Sequence, residues 1–195
     1  PISNDLAMEM TGNIQNLIDK LIYQGWAQNA TTYDIKGLYQ VAGTATTGAD
    51  FGTFGNALKS VNQAIADLED AGVYSPGHIL ALNKTQYAQL ASSISSGVVE
   101  MTEVLKALGT GGRIVKNSNV TVDYALCFPA PLDVNRKYFD IVETVPPMHT
   151  AWFKDGNEQS GDVCVRQITR LGVRFKHQSS SGTGTDIAVS KISGV

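Results

Sequence analysis

Apolar residues recur at intervals of three and four from Asn4 to Gln24, where Leu6, Met10, Ile14, Leu17, Ile18, Leu21 and Ile22 fall on one face of a helix. Ser3 or Asn4 suits its N-cap, Asp5 and Glu9 suit its positive end, and Gly25 suits a left-handed stop. At 1.5 Å per residue such a helix is about 30 Å long. "GTATTGADFGTFG" at 43–55 carries neither a helical nor a strand period and reads as a loop. Phe54, Leu58, Val61, Ile65 and Leu68 then alternate spacings of four and three up to Gly72, which predicts a second amphipathic helix. "HILAL" at 78–82, entered through Pro76-Gly77, is short and apolar enough for a buried strand.

Asn83 predicts the cap of a third helix, with Gln86 placed to complete a weak capping box and Tyr87, Leu90, Ala91 and Ile94 on its apolar face. After a Ser/Gly break at 92–97, Met101, Val104, Leu105 and Leu108 mark a fourth helix that Gly109, Gly111 and Gly112 end. The second half changes character. "TVDYALCF", "KYFDIVET" and the unusually long "VCVRQITRLGVRF" are rich in β-branched and aromatic residues, and "SSSGTG" at 179–184 reads as a flexible tip before a closing strand, "IAVSKI". The order of helix, mixed segments and then strands predicts an α+β fold without internal repeats.

The chain has 195 residues, 17% of them charged, and a net charge of −3, so it carries no global field to gather nucleic acid or an acidic membrane. Cys127 and Cys164 are too few for a disulfide scaffold or a zinc site; they read as buried thiols, with a single bridge as the alternative. No run reaches the roughly 20 apolar residues of a membrane helix, and the N-terminus lacks the pattern of a signal peptide, which leads to the expectation of a soluble, intracellular protein without a membrane partner. The first residue is Pro1, which fits a removed initiator, an upstream cleavage or a fragment.

Candidate chemistry is sparse. "GTGGR" at 109–113 follows a helix, whereas a phosphate loop needs a strand leading in and a helix leading out; it reads as a helix-ending turn. His78, His149 and His177 lack metal-ligand spacing and read as an edge polar residue, a loop residue and a strand-end residue. No Gly-x-Ser-x-Gly elbow occurs, both cysteines lie in apolar strand patterns, and Glu69, Asp70 and Asp19 read as solvated helix charges. Neither a catalytic residue, a cofactor nor a metal is expected. "RQITRLGVRFKH" sets Arg166, Arg170, Arg174 and Lys176 along one strand, a strip suited to phosphate, to carboxylates of a neighbouring subunit or to solvent. Trp26, Trp152 and the seven tyrosines read as core or interface anchors.

The order of elements carries more information than any site. "NDLAMEMTGNIQNLIDKLIYQG" with "IKGLYQ", then "FGNALKSVNQAIADLEDAGVYSPGHILALNKTQYAQLA", then "GGRIVKNSNVTVDYALCF" and the closing strands resemble the shell proteins of the tailed-bacteriophage major capsid fold (Hong Kong 97 type), a group that includes the encapsulins or linocin-like proteins. The resemblance runs in order over nearly the whole chain. It implies a long spine helix, an α/β axial domain and a β-rich peripheral domain, divided as 1–40 for the spine helix and its turn, 41–145 for the axial domain and 146–195 for closing strands shared between the two. In that family an arm and an extended loop precede the spine helix; here the chain begins at the helix, which reads as a fragment or product of a longer capsid protein.

The resemblance implies a structural, self-assembling subunit of an icosahedral shell without catalysis. Its partners would be copies of itself in pentamers and hexamers; the leading version is a viral or prophage major capsid protein around packaged DNA in a virion capsid, and the alternative is a cytoplasmic encapsulin nanocompartment around a cargo enzyme. Gly25, Gly37, Leu38 and Tyr39 become hinge and packing candidates, with Gly37 expected to supply the backbone angles of a sharp exit from the spine helix. Gly109, Gly111, Gly112, Arg113, Arg166, Arg170, Arg174 and the loop at 179–185 become candidate intersubunit contacts. A small enzyme built on the 109–113 turn and a nucleic-acid-binding module built on the arginine strip are the remote alternatives.

Overall fold

The computed structural model describes residues 4–26, 36–132, 138–153, 163–175 and 187–195. Helix α1 (Asn4–Gln24) matches the periodicity, and Gly25 ends it at a φ of 73°, with its N–H donating to the Leu21 carbonyl at 3.0 Å. A four-residue helix α2 (Leu38–Val41) leads directly into strand β1 (Ala42–Thr47). Helix α3 (Asn56–Asp70) buries Ala57, Ser60, Val61, Ala64 and Leu68, while Phe54 lies before the helix and is exposed. Strand β2 (His78–Leu82), helix α4 (Lys84–Ser92), the short strands β3 (Ile94–Ser95) and β4 (Val98–Val99), helix α5 (Glu100–Ala107) and strands β5 (Arg113–Lys116) and β6 (Tyr124–Pro129) follow. Long strands β7 (Phe139–Phe153) and β8 (Val163–Phe175) and a closing strand β9 (Ile187–Ser193) complete the described elements.

The chain divides into two units, Pro1–Asp19 with Asp140–Arg174, and Lys20–Phe139 with Phe175–Val195. In the first, β7 and β8 form a two-stranded sheet. The second is built on a five-stranded mixed sheet in the order β1-β9-β6-β2-β5. The pairs β1 with β9 and β2 with β5 are parallel; β2 with β6 and β6 with β9 are antiparallel. Both faces of this sheet are covered, which is why every residue of β2 is buried. Leu80 and Leu82 point into a cluster with Val61 and Leu68 of α3, Leu90 of α4, Val104 of α5 and Leu108 just past its end. Ile79 and Ala81 point the other way, into a cluster with Leu38, Leu126, Phe128 and Val189, against which Ile22 and Tyr23 of the last turn of α1 pack.

Several expectations are corrected. Residues 43–47 of the expected loop belong to strand β1, because pairing with β9 supplies the backbone hydrogen bonds that a Thr/Ala/Gly sequence does not advertise. Ile94 does not extend the face of α4: the helix ends at Ser92, and Ile94 begins a hairpin whose two-residue loop, Ser96-Gly97, has φ values of 51° and 80°. His78 is buried and lies in β2 between two strands instead of at a polar edge, and His149 lies within β7 instead of a loop. His177, Lys176 and the tip at 179–185 lie outside the described residues. Cys127 is a buried free thiol, as expected, and burial pushes its pKa up to about 12.

Candidate functional site: the helix-to-sheet junction and the glycine crossing

Gly25 and Gly37 meet where α1 joins the sheet unit. A Cβ on Gly37 would lie 2.3 Å from the Gly25 nitrogen and 2.7 Å from the Gln24 carbonyl carbon, so only glycine lets the two backbone segments touch. This differs from the expected reason for the glycine. Gly37 has φ −89° and ψ 175°, an extended conformation open to any residue, and what it supplies is space. The left-handed angle belongs to Gly25.

Leu38 is buried in the second cluster, and the Gln40 side chain folds back so that its amide oxygen accepts from the Gly37 N–H at 2.8 Å. Tyr39 meets Tyr124 edge to face at 4.8 Å between ring centroids, and the Lys191 ammonium lies 5.1 and 4.9 Å from the two centroids. The Gln24 side-chain amide donates to the Asn119 carbonyl at 2.6 Å. Helix end, turn, β6 and β9 are thereby tied at one place by packing, an amide and a cation held between two rings.

The Gly-rich turn after α5 has a different geometry. A Cβ on Gly77 would fall 1.9 Å from the Thr110 carbonyl oxygen, and one on Gly109 would fall 2.4 Å from that of Pro76. Hydrogen bonds from His78 N–H to the Leu108 carbonyl and from Thr110 N–H to the Pro76 carbonyl, both 2.8 Å, stitch the crossing. Gly109 and Gly111 have φ values of 76° and 74°, and a Cβ on Gly112 would lie 2.6 Å from Leu108 Cβ. The turn follows a helix and precedes strand β5, and the amides of Thr110 and Gly112 already donate within the chain, so they do not converge on an anion. Internal packing accounts for these glycines. Arg113 next to them is exposed.

His78 sits at the same crossing with 3% of its surface exposed and Nε2 without a hydrogen-bond partner, and burial lowers its pKa from the ordinary 6.5. Arg166, Arg170 and Arg174 all lie on β8, in the other unit from Arg113. Among the described residues no group of three or more His, Cys, Asp or Glu side chains is placed to hold a metal, and no helix is long and apolar enough to cross a membrane. The hollows beside these elements are a shallow, open one over Gly55, Leu58, Lys59, Asn62 and Gln63 and a narrow cleft between Tyr23, Tyr39, Val120 and Tyr124.

Periodicity did not reveal three polar ties. Asn83 and Gln86 complete their capping box and reach further, with Asn83 Nδ2 donating to the Val120 carbonyl at 2.7 Å and Gln86 Nε2 to that of Val122 at 2.8 Å. Glu100, 1% exposed, accepts from the Leu58 N–H at 2.9 Å and from the Ser93 hydroxyl at 2.7 Å. It caps α3 from a distance, because the residue at the local cap position, Gly55, has no side chain. The Thr46 hydroxyl bonds to Asp67 of α3 and lies 3.1 Å from the Ser190 hydroxyl, tying β1 and β9 to that helix.

Comparison with known proteins places this architecture. No curated protein sequence is a significant match. Among solved structures, a virus-like particle from Pyrococcus furiosus matches with a TM-score of 0.58 at 19% identity, covering 76% of this chain and 55% of that one. A structure from Mycobacterium phage Che8 matches with a TM-score of 0.57 at 16% identity, covering 97% of this chain and 61% of that one. The chain therefore spans less than two thirds of the length of these solved structures, and at such identities the likeness establishes the shell-protein fold of the Hong Kong 97 type. The family model Linocin_M18, described as an encapsulating protein for peroxidase, matches residues 13–130. With more than half of its length inside that match and its elements in the order of the shell fold, the chain belongs to the Linocin_M18 family.

Proposed function

We propose that this chain is a structural, self-assembling subunit of a closed protein shell and that its work is association, not catalysis. The observation that carries the reading is the family match across α1 to β6, the stretch that holds the helix-to-sheet junction and four of the five strands of the sheet, all but β9. In this reading the sheet unit is the axial portion, which forms pentamers or hexamers. The unit holding most of α1 with β7 and β8 is the peripheral portion, and Gly25, Gly37, Leu38 and Tyr39 form the junction at the end of the spine helix. Arg113, Arg166, Arg170 and Arg174 then serve to pair with carboxylates of neighbouring copies.

Two versions of the shell are supported by different observations. The likeness to the phage structure covers 97% of the chain and supports a virion capsid around DNA. The family match supports an encapsulin compartment around a cargo enzyme, free in the cytoplasm. Size-exclusion chromatography with light scattering, followed by negative-stain microscopy, tests the common reading. Rings or closed particles support it, and a folded monomer at every concentration overturns it. The contents of particles isolated from the native host, nucleic acid or protein, decide between the versions.

A further inference from the structure

The two edges of the five-stranded sheet are treated differently. Strand β5 is four residues long and carries Arg113 and Lys116 at its two ends, the charged guards that keep exposed edges from pairing. Strand β1, on the opposite edge, has the sequence Ala-Gly-Thr-Ala-Thr-Thr, and the chain has no charged residue between Lys36 and Asp50. No proline interrupts it. A register shift lies between Ala42 and Thr44, but from Thr44 to Thr47 the ladder with β9 is regular.

The backbone direction along that regular stretch is set by two contacts. The Thr46 carbonyl accepts from the Ser193 hydroxyl at 3.3 Å, and the Gly48 N–H donates to the Ser193 carbonyl at 2.7 Å. Even-numbered residues here turn their peptide groups toward β9, so Ala45 and Thr47 turn theirs outward. Both residues are exposed, and their outward N–H and C=O groups have no partner among the described residues. On its even-numbered side the strand is held by Thr46, through Asp67 and Ser190, so the edge is a firm template.

We infer that β1 is a strand-pairing edge and that its occupant is β1 of a second copy of this chain, running antiparallel across a twofold axis at Ala45. The axis makes the contact self-complementary. With Ala45 opposite Ala45, residue 43 falls opposite residue 47, small and β-branched side chains face one another, and no charge on one copy meets its like on the other. The result is one sheet running through both copies, closed by main-chain hydrogen bonds for which the described residues of a single copy offer no partner. The choice of a second copy as occupant rests on the shell reading above; the open, uncharged edge does not.

Substitution Ala45→Pro tests the inference, because proline removes an outward N–H and leaves the ladder to β9 intact. Thr47→Lys, which adds a guard of the kind β5 carries, is the second variant. Wild-type chain, Ala45→Pro and Thr47→Lys are compared by light scattering over a range of concentrations and by amide hydrogen exchange, with circular dichroism reporting the fold. The expected result is self-association of the wild type, with protection of the Ala45 and Thr47 amides rising with concentration, and a shift of the association midpoint by tenfold or more in folded variants. Association of both variants at the wild-type midpoint overturns the inference and leaves the shell reading standing. A wild type that stays monomeric overturns both. Should Ala45→Pro fail to fold, Thr47→Lys and the wild-type amide protection decide alone.

Discussion

At the crossing of 76–78 with 108–110, glycine brings together two segments whose flanking residues, Ile79, Leu80 and Leu108, are already core. At the contact of Gly37 with Gly25, glycine brings a helix end against a turn whose remaining ties are Gln24 to Asn119 and the ring pair around Lys191. The approach distances are similar, yet the surroundings differ. The first crossing sits inside the hydrogen-bonded entry to β2 and β5, so the sheet cannot form without it. The second packs the last turn of α1, which belongs to the sheet unit, against a sheet that has its own core on the other face. The same residue type thus serves folding in one place and attachment in the other.

Substituting the glycines separates these roles. Gly77→Ala places a Cβ 1.9 Å from a carbonyl oxygen, and neither segment can retreat without opening the sheet; we expect a loss of about 3 kcal/mol or more, read as global unfolding at lower denaturant. Gly37→Ala is expected to cost about 2 kcal/mol and to act locally, undocking the end of α1. Its signature is a change at Tyr39 and Tyr124 by NMR while the amides of β2 and β6 keep their protection.

Between these lies a tie made by a side chain. Glu100→Ala strips a partner from the Leu58 amide and the Ser93 hydroxyl and is expected to lower stability by about 2 kcal/mol, whereas Glu100→Gln, whose amide can accept from one and donate to the other, recovers most of it. Chemical denaturation of the pair of variants checks this.

A pH titration sharpens the contrast further, since His78 belongs to the first crossing. Its folded pKa lies below the ordinary 6.5, so the unfolded chain binds the proton more readily. Stability contributed by His78 is therefore present above pH 6.5 and falls as the pH drops below it. His78→Gln flattens that part of the profile; an unchanged profile would show that the ring carries no pH dependence. The smallest effect is expected at Gly12, inside α1, where a Cβ meets nothing within 4 Å: Gly12→Ala raises the melting point, stabilising by about 0.5–1 kcal/mol.

What the amino-acid pattern reveals follows from which forces leave a periodic trace. Helix α3 and strand β2 bury a stripe and a run of apolar side chains, and each was legible because burial selects residue type at fixed spacing; α1 was legible from its period too, although of its stripe Ile14, Ile18, Leu21 and Ile22 are half-buried and Leu17 is exposed. Strand β1 left no such trace. Its neighbours are backbone groups, and the closely spaced threonines 44, 46 and 47 were the one hint that the stretch was more than a Gly/Thr linker. Glu100 was unreadable for a related reason: its burial depends on the Leu58 amide in the uncapped first turn of α3, 42 residues away in the chain. Gly37 and the 109–112 glycines were visible as glycines, but a residue without a side chain does not reveal whether it serves angle or space.

The placement of β9 bears on how the chain reaches this state. It lies between β1 and β6, and its Ser190 meets Thr46 across 144 positions of sequence. Closing so long a loop is costly in entropy, and topologies rich in such pairings fold slowly. During synthesis β1 is exposed to the ribosome exit well before β9 has been made. Until β9 arrives, β1 lacks its neighbour among the described strands and β6 has that flank unpaired, so in that interval an uncharged strand is available to any other nascent copy. Subunit association and completion of the sheet are therefore in kinetic competition, and a cell making this protein quickly gains from whatever keeps nascent copies apart until β9 is inserted.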